Sequence, residues 1–155
     1  MSTAARRGLV ILVAALACDA APKAPPFSAV ADVKQLMVSV VEPAAEVYWD
    51  AVGSVEDSSG VTSLYPKTPE AWDAVRNSAY VVAESGNLLM MPPRARDSRQ
   101  WITLSLAMIN ASKRAIKAAE ARDTAAVFNA GADLYETCTN CHARYAIETL
   151  RPNAK

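Results

Sequence analysis

Five consecutive residues near the C-terminal end carry the densest chemistry in the 155-residue chain: Cys138-Thr139-Asn140-Cys141-His142. Two thiols three positions apart, followed at once by an imidazole, form the C-x-x-C-H pattern of covalent haem attachment. On a helix, positions i, i+3 and i+4 project from one face, so two sulfurs can bond the haem vinyl carbons while the imidazole reaches iron. Three other chemistries use paired cysteines. A thioredoxin-like redox pair belongs in a βαβ setting, and a disulfide across i, i+3 of a helix is geometrically awkward. A zinc site needs more ligands, whereas His142 is the chain's single histidine and the remaining cysteine, Cys18, is far away in sequence. All three fit less well than haem and stay open at this point.

The elements that must position these residues read as helices. The chain is 52% hydrophobic with only five Gly, and its many Ala residues combine helix propensity with small volume. Its length suits one domain with one apolar core. A first helix is predicted from about Ser28 to Val52, with Val30, Val33, Met37, Val40, Ala44 and Val47 on its apolar stripe and a kink at Pro43. A polar loop, Gly53 to Lys67, follows.

The second helix opens at Thr68-Pro69-Glu70, an N-cap with Pro at the first helical position. It carries Trp72, Val75, Ala79, Val82 and Leu89 inward and ends near Met91, before Pro92-Pro93. The third begins near Asp97 or Ser98 and runs to about Ala121, with Trp101, Leu104, Met108, Ala111 and Ala115 on one side. Asp123 caps the fourth, which passes through Gly131, Leu134 and the cysteine motif to about Leu150. Four amphipathic helices with mostly short connections predict an all-α, antiparallel four-helix bundle over residues 28–155.

Ahead of the domain, residues 1–17 have the form of a signal peptide: Arg6 and Arg7, an apolar run from Leu9 to Leu16, then small residues. Cleavage after Ala17 leaves Cys18 first. Ala15-Leu16-Ala17-Cys18 also loosely resembles the bacterial lipobox, so Cys18 is either an acylated membrane anchor or an unpaired thiol. Residues 18–27, with Pro22, Pro25 and Pro26, read as an extended tether. A periplasmic location is expected, tethered to the inner membrane if Cys18 is acylated, a retention that Asp19 favours. The chain holds 16 basic and 16 acidic residues, and loss of 1–17 removes two of the bases and no acid, so no nucleic-acid partner is expected.

With its motif late in the chain and a methionine early in the first helix, the sequence resembles the class II c-type cytochromes, the cytochrome c-prime superfamily, over about Ser28 to Leu150. The resemblance implies a bundle holding one covalent haem between helices near one end, with Cys138 and Cys141 as attachment points and His142 as proximal iron ligand. It places either Met37 or nothing on the distal side; Met90, Met91 and Met108 are further candidates. A thioether opposite imidazole raises the reduction potential and suits an electron carrier exchanging with redox partner proteins, rather than an enzyme. An open distal position suits nitric oxide or carbon monoxide instead. Arg144 and Tyr145 are candidate haem contacts, Gly131 permits close approach of a helix or the macrocycle, and a homodimer fits the resemblance. A haem-free helical interaction module is the alternative from another class. Asn87 to Arg94, after the second helix, receive no role.

Overall fold

The computed structural model describes residues 27–97 and 99–147. The predicted signal segment, most of the tether with Cys18, and the last residues of the predicted fourth helix lie outside them.

A helical rod runs from Val33 to Trp49 in three parts: α1 (Val33–Leu36), a π-helical segment (Met37–Val41) and α2 (Glu42–Trp49). It starts five residues later than the periodicity suggests. Asp32 takes the N-cap, its carboxylate accepting the Gln35 N–H at 2.7 Å. Val30, expected on the inner stripe, therefore precedes the helix and is 96% exposed.

The π segment is the local answer to Pro43. Proline has no N–H to give to the carbonyl four residues back and its ring crowds that carbonyl. Just ahead of it the ladder widens, and the Glu42 N–H bonds the Met37 carbonyl five residues back. A π turn holds about one residue more than an α turn, so everything after it is rotated by about 100° relative to a regular helix. Hence the buried residues are Val41, Ala45, Tyr48 and Val52, whereas Val47, read as part of the stripe, is 48% exposed.

The segment read as a polar loop contains a hairpin, β1 (Gly53–Asp57) paired antiparallel with β2 (Gly60–Leu64), with Val55 opposite Thr62. Asp57 shapes its turn by accepting the Ser59 N–H at 2.8 Å, and Gly60 takes a φ of +127°, where a Cβ would be strained. Both strands are exposed along their length, which is why apolar alternation did not mark them.

Three long helices follow: α3 (Pro69–Met90), α4 (Gln100–Glu120) and α5 (Thr124–Tyr145). Thr68 and Asp123 cap α3 and α5, accepting the N–H groups of Ala71 at 3.2 Å and Ala126 at 3.0 Å. The expected stripe of α3, from Trp72 to Leu89, is buried throughout, as are Trp101, Met108, Ala111 and Ala115 of α4. The described chain is thus mostly helical, with one small two-stranded sheet.

Small residues set the spacing of α3 and α4, the most extensive helix contact. Ala79, Ala83, Ser85 and Gly86 of α3 and Ser105, Ala111, Ser112 and Ala115 of α4 are all buried. Ser85 and Ser112 turn their hydroxyls back onto their own helices, Ser85 to the Val81 carbonyl at 2.7 Å and Ser112 to that of Met108 at 2.9 Å, so these two buried hydroxyls are paired. Tyr48 ties the first rod in, donating to the Ala115 carbonyl at 3.1 Å.

Gly86 is where this contact is tightest. A Cβ there would overlap Ile109 Cγ1 and lie 3.1 Å from the Ser105 carbonyl oxygen. Overpacking of this kind costs about 1–3 kcal/mol, against about 1 kcal/mol gained in helix propensity. Gly86→Ala should therefore lower the unfolding midpoint by a few degrees; an unchanged or raised midpoint in a thermal melt would show that the overpacking costs no more than the helix propensity gained.

Candidate functional site

The cysteine motif occupies the last two turns of α5, in regular helix as its spacing requires. Cys138, Cys141 and His142 are all half-buried, and both cysteines are free thiols. Burial pushes both thiols above the ordinary cysteine value; at Cys138 a hydrogen bond with Thr137 opposes this and the proximity of Cys141 adds to it. The motif also lies near the negative end of the helix dipole, which further disfavours thiolate. Reactive redox cysteines show the opposite arrangement, at a helix N-terminus with a lowered pKa.

The rest of this end of the molecule is built from one apolar cluster. Leu36, Val41 and Ala45 of the first rod meet Val82 and Leu89 of α3, Trp101, Met108 and Ala111 of α4, and Leu134 of α5. Leu134 is one turn before Cys138. Met37 and Tyr145 both pack against this cluster, so the candidate distal methionine and the turn after the motif share one apolar environment. Met37 is half-buried, with its backbone at the head of the π segment. Met108 is buried within the cluster, and Met90 and Met91 sit half-buried at the end of α3.

Along its length the first rod packs mainly on α3 and meets α5 chiefly at the far end, through Trp49. There the indole Nε1 donates to the Gly131 carbonyl at 3.0 Å, and a Cβ on Gly131 would be 3.3 Å from Trp49 Cδ1. Of the two close approaches considered for Gly131, the structure shows that of the helix. Tyr135, one turn further along α5, meets Trp49 edge to face at 5.8 Å.

Tyr145, a candidate haem contact, has its hydroxyl engaged by the Asp97 carboxylate. Its ring stands edge-on to Trp101, centroids 4.9 Å apart, and Trp101 Nε1 donates to the Leu89 carbonyl at 2.7 Å. Asp97 also accepts the N–H groups of Arg99 at 3.1 Å and Trp101 at 3.0 Å. One aspartate thus caps α4 and clasps the end of α5, while Trp101 holds the end of α3. Arg144 is exposed.

Arg94 was not marked as a site residue. It is buried, at 8% exposure, and binds two backbone carbonyls, that of Ala31 from Nε at 2.9 Å and that of Leu88 from Nη1 at 3.2 Å. It fastens the approach to the first rod onto the end of α3. A lone Arg in a Pro-rich connection gives no periodic signal, so sequence reasoning had nothing to find it by.

A covalently held haem asks for two thiols and an imidazole on one turn, apolar walls for the macrocycle and a helix able to face its other side. The half-buried Cys138, Cys141 and His142 on regular helix fit the first demand, and the cluster that includes Leu134, with Met37 packed against it, offers apolar surface for the second. Among the described residues, no three His, Cys, Asp or Glu side chains converge as a metal-binding group, and no helix is long and apolar enough to cross a membrane. Comparison with family models, curated proteins and solved structures finds no match for this chain.

The hydrogen bond from Tyr145 is the first cause holding the Asp97 carboxyl below its ordinary value, ahead of that from the Trp101 N–H. A depressed carboxyl contributes stability that is present above its unfolded pKa and lost as pH falls through its folded value. In Tyr145→Phe, the Asp97 carboxyl should titrate closer to 3.8, and the clasp should lose its acid sensitivity. A carboxyl NMR titration tests this: an unmoved Asp97 resonance would mean that the α4 N–H groups alone set its pKa.

Proposed function

We propose that the chain is an exported c-type cytochrome of the low-spin class II type: an antiparallel four-helix bundle that carries electrons on one haem attached through Cys138 and Cys141. The carrying observation is the motif itself, on regular helix with both thiols free, half-buried and kept protonated, beside an apolar cluster that also holds Met37. The three rival uses of the cysteines fare worse, and a structural disulfide is not formed, since both thiols are free. A dithiol redox pair wants a stabilised thiolate, which burial opposes, and a tetrahedral zinc site wants four converging ligands, a group not found among the described residues.

When bound, the haem supplies reversible one-electron chemistry. The chain's part is to hold and tune it. His142 supplies an imidazole from the rigid last turns of α5, whose end is clasped to α4 through Tyr145 and Asp97. Met37 supplies a thioether from the first rod; thioether opposite imidazole favours the reduced state and a high potential. The apolar cluster of Leu36, Leu89, Trp101 and Leu134 keeps water from that end of the core. His142 and Met37 together would hold the group so that electron exchange needs little rearrangement of the chain. Residues 1–17 serve as export signal, and Cys18 as a lipid anchor where it is acylated, so that redox partner proteins are met at a periplasmic membrane surface.

Protein produced in a bacterial periplasm with a haem-attachment system should carry one covalent haem by mass spectrometry and show a six-coordinate, low-spin spectrum with the weak red band of iron–sulfur ligation in the oxidised state. Cys138→Ser with Cys141→Ser should abolish the covalent adduct. Met37→Ala should remove the red band and lower the midpoint potential. Colourless protein with both thiols free would overturn the haem reading, whereas a Met37→Ala spectrum identical to wild type would remove Met37 alone.

A further inference from the structure

Arg94 presents an electrostatic imbalance that the fold does not resolve. Taking a guanidinium out of water costs several kcal/mol even after relaxation, and buried charges are ordinarily matched by an opposite one. Here the residue is only 8% exposed, and the acceptors on its Nε and Nη1 are neutral, the Ala31 and Leu88 carbonyls. Among the described residues, the ion pairs are Arg76 with Asp73 and Arg114 with Asp133, and no carboxylate lies within ion-pair distance of Arg94. Two neutral acceptors satisfy donors but leave the net positive charge.

That charge borders a cleft of about 510 Å³ formed by residues 29–33 and by Pro93, Arg94 and Arg96. Arg96 adds a second, exposed cation to its wall. The one acid lining it, Asp32, is exposed and has its Oδ1 on the Gln35 N–H, where it caps α1. The cleft therefore pairs a preorganised, largely buried cation with an exposed one, a combination suited to a carboxylate held by charge-assisted hydrogen bonds. It also opens at the end of the helices that bears the cysteine motif. Val33, on its wall, is one helical turn from Met37, about 6 Å along the axis.

We propose that Arg94, with Arg96 on the rim, receives a haem propionate. This assignment rests on the haem reading above and extends it: the same guanidinium fixes the start of the helix that carries Met37 and neutralises the carboxylate of the group that Met37 faces. A structural tie alone would need only the two carbonyl bonds, and a neutral amide could supply one of them.

The test uses the periplasmically matured holoprotein as wild type, Arg94→Lys, Arg94→Gln and Arg96→Gln, with midpoint potential followed against pH by spectroelectrochemistry. Loss of the Arg94 charge should shift the reduction equilibrium about tenfold toward the oxidised form, ~59 mV for one electron. It should also move the acidic step of the pH profile upward, because a propionate without its cation takes up a proton at higher pH. Arg94→Lys should restore most of both effects. Arg96→Gln, at an exposed position that leaves the fold intact, should shift the potential in the same direction by less.

An Arg94→Gln holoprotein that melts lower but keeps the wild-type potential and pH profile would overturn the proposal and leave Arg94 as a helix tie. Should Arg94→Gln fail to accumulate, an unmoved potential in Arg96→Gln overturns it instead. A colourless wild type would be a different failure, that of the haem reading itself.

Discussion

Pro43 has no amide hydrogen for the carbonyl of Ser39, and the first rod accommodates it by widening to a π turn over Met37–Val41. Much of the molecule depends on that local choice. The extra residue rotates α2 so that Tyr48, not Val47, enters the core, where its hydroxyl meets the Ala115 carbonyl and burial pushes its pKa far up. The same rotation brings Trp49 against Gly131, the main junction between the first rod and α5. Ahead of the bulge, Met37 retains the register of α1, with Asp32 fixing the start. A regular helix through this segment could not satisfy both ends.

The remaining helices form the rigid part against which that rod is set. Small residues let α3 and α4 approach closely, and back-bonded serines remove the polar cost of doing so. At one end, polar contacts then lock what packing alone would leave to slide: Trp101 to Leu89, Tyr145 to Asp97, and Arg94 to both Ala31 and Leu88. These ties converge around the turns that carry the cysteine motif. The opposite end is held by apolar packing of Tyr48, Trp72, Ala115 and Val127, with Tyr48 and Trp49 also donating to the Ala115 and Gly131 carbonyls.

Legibility in the sequence followed the physical range of each signal. Caps are local chemistry, so Thr68 and Asp123 marked their helices to the residue, and Pro69 behaved as a first-turn proline. The stripes of α3 and α4 were visible because nothing interrupts their 3.6-residue period. The stripe of the first rod was misread because a π turn breaks that period, although Pro43 had signalled an irregularity there. The hairpin escaped because both of its faces are exposed, leaving only the turn at Asp57 and Gly60 as a cue. At the site, the motif and Met37 were legible as residue types, but Arg94 reaches the Ala31 carbonyl and Asp97 the Tyr145 hydroxyl, partners distant in sequence, and no spacing rule encodes those.

The protonation state of the two thiols bears on what kind of site this is. A cysteine pair meant to cycle between thiol and disulfide gains from exposure and from a positive helix end; Cys138 and Cys141 have neither. In apolar surroundings, a protonated thiol is nearly inert, and two of them on one helical face add little beyond modest hydrophobic contact. On the function proposed above each sulfur would be a point of attachment, and a thioether bond leaves no charge to bury and no donor to satisfy. Arg94 poses the complementary case, a charge retained in the interior with neutral partners. One amphipathic ligand, apolar over its face and anionic at its edge, is what the proposed function would set between uncharged sulfurs at one place and a cation with neutral partners at another.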